Sequence, residues 1–186
     1  MVAWIILGLV VLLLVWLVLV YNRLVALRQV TGQAWSDVDV QLKQRHDLVP
    51  NLVETVKGYA AHERGTLDAV IQARSAAMGA RGPEASAAAE GALGAAIGRL
   101  FALAEAYPDL KANANFQALQ AELSDLENKI AAARRFFNNA VAEYNSGIQQ
   151  VPAVFFAGAL GFAPRGFFEP DAAERAAIAA PPQVKF

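Results

Sequence analysis

The chain has 186 residues, a formal net charge of −1 and no cysteine. A balance this close to neutral lacks the electrostatic footprint of a nucleic-acid binder, and the missing cysteine excludes disulfides, thiolate metal sites and cysteine nucleophiles. Apolar residues make up 56%, an excess carried by residues 1–20 and by alanine, and the length allows a membrane anchor plus one domain.

The anchor is expected over residues 1–21. Val2–Val20 carries no charge, and a helix of ~20 residues rising ~1.5 Å each crosses a hydrocarbon core of ~30 Å. Trp4 and Tyr21 lie near its ends, where amphipathic rings favour the lipid–water boundary. A cleaved signal peptide fits less well, because no basic residue precedes the apolar run and no small-residue cleavage site follows it. Arg23 and Arg28 come directly after the run. The positive-inside rule then expects a single pass with the N-terminus outside and the bulk of the chain in the cytoplasm.

Residues 22–169 are expected to form one helical domain. Val30, Ala34, Val38 and Leu42 recur every four residues, as one helical face requires, with Trp35 at its border. Pro50 either kinks a continuous helix or sits in the first turn of a new one capped by Asp47. Helical spacing from Leu48 through Leu52 to Val56 favours continuity. The next face runs Leu52, Val56, Tyr59, Glu63, Leu67, Val70 and Arg74. Opposite it lie Asp47, Asn51, Glu54 and Gly58, read as a solvated face or as a surface for a partner.

Met78–Pro83 is a turn signal. Residues 84–107 follow as a helix with Leu93, Ile97, Leu100, Leu103 and Tyr107 inward, and with Gly91, Gly94 and Gly98 allowing close approach. Pro108 ends that helix, and Asn113 or Asn115 is expected to cap the next. The helix over 116–150 has the clearest pattern. Phe116, Leu119, Leu123, Leu126, Ile130, Ala133, Phe137, Val141, Tyr144 and Ile148 recur at a mean spacing near 3.5, the seam of a coiled coil. Glu127, Arg134, Asn138 and Asn145 line its edge. They are read as a structural polar clamp, with a polar ligand site as the alternative. Residues 153–168 are apolar and too short to span a bilayer. They either cap the open end of the domain or lie in the membrane interface, and capping is favoured. Residues 170–186 are expected to be a mobile tail.

Catalytic constellations are missing. His46 and His62 are too far apart for a zinc helix, His62-Glu63 lacks the completing histidine, and no Glu-x-x-His, GxSxG or phosphate-binding glycine loop occurs. No catalytic residue, cofactor or metal is therefore assigned. The fold expected is all-α: an N-terminal transmembrane helix, then an antiparallel up-and-down bundle of about three to four long helices, the last coiled-coil-like.

Several ordered motifs resemble the LemA family. They are Gln41-Leu42-Lys43 with Arg45, Asp47-Leu48-Val49-Pro50-Asn51-Leu52-Val53, Val56-Lys57-Gly58-Tyr59 with His62-Glu63, and Tyr107-Pro108-Asp109-Leu110-Lys111-Ala112-Asn113. Arg134 to Asn138, Tyr144-Asn145, Gly161-Phe162 and Phe167-Phe168-Glu169 continue the likeness, which covers nearly all of residues 21–169. Phe137 is a departure, standing where the family often has tyrosine. The resemblance implies an N-terminally anchored helical bundle of bacterial type with no assigned reaction. Some relatives are tied to membrane-organelle formation, and others are encoded beside membrane proteases. The function expected is that of a non-enzymatic scaffold or adaptor, held by membrane lipid through its anchor and binding an unidentified membrane protein. The alternatives are a protein that shapes or organises lipid and, more remotely, an enzyme using carboxylates such as Asp47 or Glu63.

Overall fold

The computed structural model describes residues 1–169. Five α-helices run in chain order: α1 (Val2–Lys57), α2 (Arg64–Gly79), α3 (Pro83–Ala104), α4 (Pro108–Lys111) and α5 (Ala114–Gln149). A 3-10 turn at Ala153–Phe155 follows, and no strand occurs among the described residues. The tail over 170–186 lies outside the described residues.

Pro50 sits inside α1 without ending it, as the helical spacing around it favoured. Its ring nitrogen has no proton for the carbonyl four residues back, that of His46. Arg74 of α2 takes the vacant place, its Nε donating to the His46 carbonyl oxygen at 2.6 Å. Arg74, which broke the apolar face in the sequence, therefore serves the backbone of α1.

The apolar face does not continue on one helix from Leu52 to Arg74. Residues 58–63 are turns. The amides of Tyr59 and Ala60 both return to the Val56 carbonyl, at 3.0 and 2.9 Å, which closes the helix tightly. Tyr59 is 42% exposed, and Ala60 is buried in its place. The turn before α3 follows its sequence signal: Gly82 adopts φ +81°, a conformation L side chains rarely take, and Pro83 opens the helix. Asn113 caps α5, its Oδ1 accepting from the Phe116 amide at 3.0 Å.

The chain divides into two compact units. The first comprises residues 1–36 and 135–166, the second residues 37–134 and 167–169. In the second, residues from α1 to α5 share one core, where Leu52, Leu93, Leu100 and Leu110 are fully buried. Burying each such side chain contributes about 1.5–3 kcal/mol. The α3 helix is long and apolar enough to cross a membrane, yet Leu93, Ile97 and Leu100 on it are buried in this core. The seam of α5 is inward along its whole length. Phe116, Leu123, Leu126, Ile130, Phe137, Val141, Tyr144 and Ile148 are buried, and Leu119 and Ala133 are half-buried.

In the first unit, the N-terminal part of α1 is long and apolar enough to cross a membrane, and none of its most apolar window is buried. The first buried residue of α1 is Leu24, which joins Tyr144, Ile148, Ala153, Ala157 and Phe162 in a second core. Gly147 permits the close approach there, since a Cβ on it would stand 2.8 Å from Leu27 Cδ1. Val30, expected on the inward face, is 39% exposed, and Thr31 is buried instead. Its hydroxyl donates to the Arg28 carbonyl at 2.8 Å, which satisfies the polar group on a face otherwise apolar. Residues 153–162 cover this core with one side only. Ala153, Ala157 and Phe162 are buried, whereas Phe155 is 79% exposed.

Candidate functional site

The second unit contains a buried polar network that sequence reasoning did not assemble. Arg45 and His46 follow each other on α1, and both reach Glu90 of α3. Arg45 Nη1 donates to Glu90 Oε2 at 3.3 Å, and His46 Nε2 lies 2.5 Å from Glu90 Oε1. Arg45 Nη2 pairs with Glu127 Oε1 of α5 at 2.8 Å. The Arg45 and Glu90 side chains are only 5% and 6% exposed, while Glu127 is half-exposed. Gly94, one turn after Glu90, makes room for the guanidinium: a Cβ there would lie 3.0 Å from Arg45 Nη2.

Charge pairing explains how so polar a cluster survives burial. A lone guanidinium or carboxylate taken from water costs several kcal/mol, and mutual pairing offsets this only when each charge keeps its partners. Both Glu90 oxygens are used, and Arg45 is gripped by two carboxylates. Arg45 Nε and Gln41 Oε1 are buried without a hydrogen-bonding partner among the described residues. Sequence signals for this network did exist. Stepping back from Leu93 by one turn along the inward face of α3 lands on Glu90, and stepping from Leu42 toward Val49 on α1 passes through Arg45 and His46.

The four edge residues of α5 have different surroundings. Glu127 is engaged by Arg45 across to α1. Arg134 and Asn138 are half-buried, Asn138 with an interaction of its own, and Arg135 is exposed. Asn145 clasps the chain that follows α5. Its Nδ2 donates to the Arg165 carbonyl and its Oδ1 accepts from the Arg165 amide, both at 2.9 Å. Tyr144 adds a hydroxyl bond to the Ala163 carbonyl at 2.9 Å, and the Arg165 guanidinium reaches Thr31 Oγ1. Phe137, the departure from the family tyrosine, packs on Trp35 with ring centroids 5.3 Å apart.

Two open hollows flank the network within the second unit. One, of about 410 Å³, has Arg45, Glu127, Gly94, Gly98, Phe101 and Ser124 among its lining. The other, of about 350 Å³, is a groove between α1 and α5 lined by Gln44, Asp47, Leu48, Asn51, Glu122, Asp125, Leu126 and Lys129. Asp47 and Asn51, read from sequence as a partner surface, thus sit in a groove with an apolar floor. Glu54 and Gly58 are exposed, and Glu54 accepts from Lys57 at 3.2 Å. Beyond the groove, Tyr107 donates to Glu63 Oε1 at 3.3 Å. Burial and then the Glu63 carboxylate hold the Tyr107 phenol above its ordinary range. Of the two aromatics expected at the membrane boundary, Trp4 is exposed, and Tyr21 packs edge-on against Phe162 at 5.7 Å. Among the described residues no group of three or more His, Asp or Glu side chains converges as a metal site would require.

The model of the LemA family matches residues 34–186. The chain is 28% identical over 168 residues to the magnetosome protein MamQ of Magnetospirillum gryphiswaldense, covering 76% of this chain and 62% of that one. It is 26% identical over 175 residues to the magnetosome protein MamQ 2 of Paramagnetospirillum magneticum, covering 80% of this chain and 64% of the relative. The chain thus spans less than two thirds of the length of the curated relatives it matches.

Proposed function

Because the chain belongs to the LemA family, we propose that it is a non-enzymatic, membrane-tethered antiparallel helical bundle that docks a membrane protein partner as scaffold or adaptor. The observation that carries this reading is the groove between α1 and α5. It presents Asp47, Asn51, Glu122, Asp125 and Lys129 around Leu48 and Leu126, on helices whose other faces are locked into a core. Rigid helices that display polar groups around an apolar floor offer a preformed surface, which lowers the ordering cost of binding. Both Glu90 oxygens and both terminal nitrogens of Arg45 are engaged within the buried network, which supports a structural role for those groups. The relatives carry magnetosome names rather than names of enzymes, in keeping with a non-catalytic part.

Residues 2–20 act as the anchor, and α1 continues from them without a break to Lys57. Arg23 and Arg28 on the inner side direct the domain into the cytoplasm. A reporter that fluoresces only in the cytoplasm, fused after Phe186, should light up, and activity from a reporter restricted to the outer side would reverse the orientation. The docking reading is tested by chemical crosslinking in native membranes followed by mass spectrometry. A partner recovered with the full chain and absent from an anchor-only control supports it, and recovery of nothing beyond that control counts against it.

A further inference from the structure

Residues 151–164 contain no charged side chain, and they have two faces. The inner face, with Ala153, Ala157 and Phe162, closes the core around Leu24 and Ile148. The outer face carries Val151 at 73%, Phe155 at 79%, Val154 at 48% and Leu160 at 50% exposure. An apolar group of this size on one short segment is unusual for a surface that only meets water.

The position of this segment says what would cover it. Val151, Pro152 and Ala153 line one shallow hollow with Val20, Arg23 and Leu24 of α1. Val20 is the last aliphatic residue of the uncharged N-terminal run, and Leu24 lies only ~6 Å further along the helix at ~1.5 Å per residue. An interfacial segment sinks ~5–10 Å into the headgroup and acyl boundary. If the run spans the hydrocarbon, the exposed apolar residues are held at that depth. Tyr21 packs on Phe162 at the same level, where amphipathic rings favour the boundary. Arg23 is exposed beside them, placed to meet a lipid phosphate.

We propose that Val151, Val154, Phe155 and Leu160 form a second membrane contact that inserts into the lipid interface beside the end of the anchor. This inference rests on the reading of residues 2–20 as a membrane span. The contact would fix the tilt and rotation of α1 as it leaves the bilayer, because a helix tethered at one point turns freely and one held at two does not. It is a lipid surface rather than a protein that the segment fits, since its depth is set by the span itself.

The absence of cysteine allows single spin labels on the full chain. Phe155→Cys, Val154→Cys, Val18→Cys and Asn139→Cys are each labelled and reconstituted in vesicles of phosphatidylcholine and phosphatidylglycerol. Collision with oxygen, which concentrates in lipid, is compared with collision with a water-soluble nickel chelate. All four positions are exposed, so labelling leaves the core untouched. The inference expects positions 155 and 154 to collide several-fold more with oxygen and several-fold less with nickel than position 139. Position 18 in lipid with 155 and 154 as nickel-accessible as 139 would overturn the second contact and leave the anchor standing. Shielding of 155 and 154 from both reagents would mean a protein cover, and would also overturn it. Nickel access at position 18 would overturn the span and this inference together.

Discussion

Arg74 Nε bonds the carbonyl of His46 at 2.6 Å, and that carbonyl is the one Pro50 leaves without a donor. The relationship predicts a specific coupling. Arg74→Ala should destabilise the chain by about 1–3 kcal/mol, the cost of stranding a desolvated carbonyl. In a Pro50→Ala background the amide of residue 50 can bond His46 directly, so Arg74→Ala should then cost less. A double-mutant cycle on the full chain in detergent, read by chemical unfolding, measures the difference. Additive effects would show that Arg74 does not substitute for the missing amide.

Glycines on α3 should respond in opposite ways. A Cβ at Gly98 meets nothing within 4 Å, so Gly98→Ala should stabilise by about 0.5–1 kcal/mol through helix propensity and a less flexible unfolded chain. A Cβ at Gly94 would press on Arg45 Nη2, which Glu127 holds at 2.8 Å. Gly94→Ala should therefore lose that gain or reverse it. Equal melting temperatures for the two variants would mean that the guanidinium moves aside at no cost.

The buried network predicts a ranking. Glu90→Ala leaves His46 Nε2 without its partner and Arg45 with Glu127 alone, and should cost up to ~3–5 kcal/mol, the range for breaking a buried pair. Arg99→Ala, exposed on the same helix, should stay within ~0.5 kcal/mol of wild type. Glu127→Ala should fall between them, because half of its side chain is already in water. On α5, Arg134→Ala should cost more than Arg135→Ala, whose side chain is exposed, and less than Glu90→Ala. A Glu90 variant as stable as wild type would remove the network from the account of stability.

Alkaline unfolding should report on Tyr107. Its folded-state pKa is raised above the ordinary 10.0 by burial and by Glu63. A raised value means the folded chain holds this proton more tightly than the unfolded chain does. The resulting stability is fully present below pH 10.0 and is lost as pH rises through the folded-state value. Tyr107→Phe should flatten the decline of stability above that pH. An unchanged decline would assign it to other groups.

The sequence was most legible where one rule acted alone. The α5 seam needed only apolar spacing, and every seam residue is buried or half-buried. Gly79, Gly82 and Pro83 marked a turn because no helix tolerates them together. The break at residues 58–63 was hidden because Tyr59 and Glu63 continue the three-and-four spacing by coincidence, while a single Gly58 is a weak stop. The polar network was hidden for a different reason. Glu90 lies in an alanine-rich run and finds its partners forty-four and forty-five positions away, and pairing over that distance belongs to tertiary packing. Glu127 was legible as an edge residue of a polar clamp, but nothing in the local pattern named Arg45 of α1 as its partner.

The central claim is that the α1–α5 groove docks a protein, and site-resolved photocrosslinking tests it most directly. A photoreactive residue is placed in the full chain at Asn51, within the groove, and in parallel at Arg135, exposed on α5 outside it. In native membranes position 51 should give one discrete protein adduct, weakened by Asp47→Ala and Asp125→Ala together, and position 135 should give none. The same adducts from both positions, or none from position 51 above the level seen with the anchor alone, would contradict it.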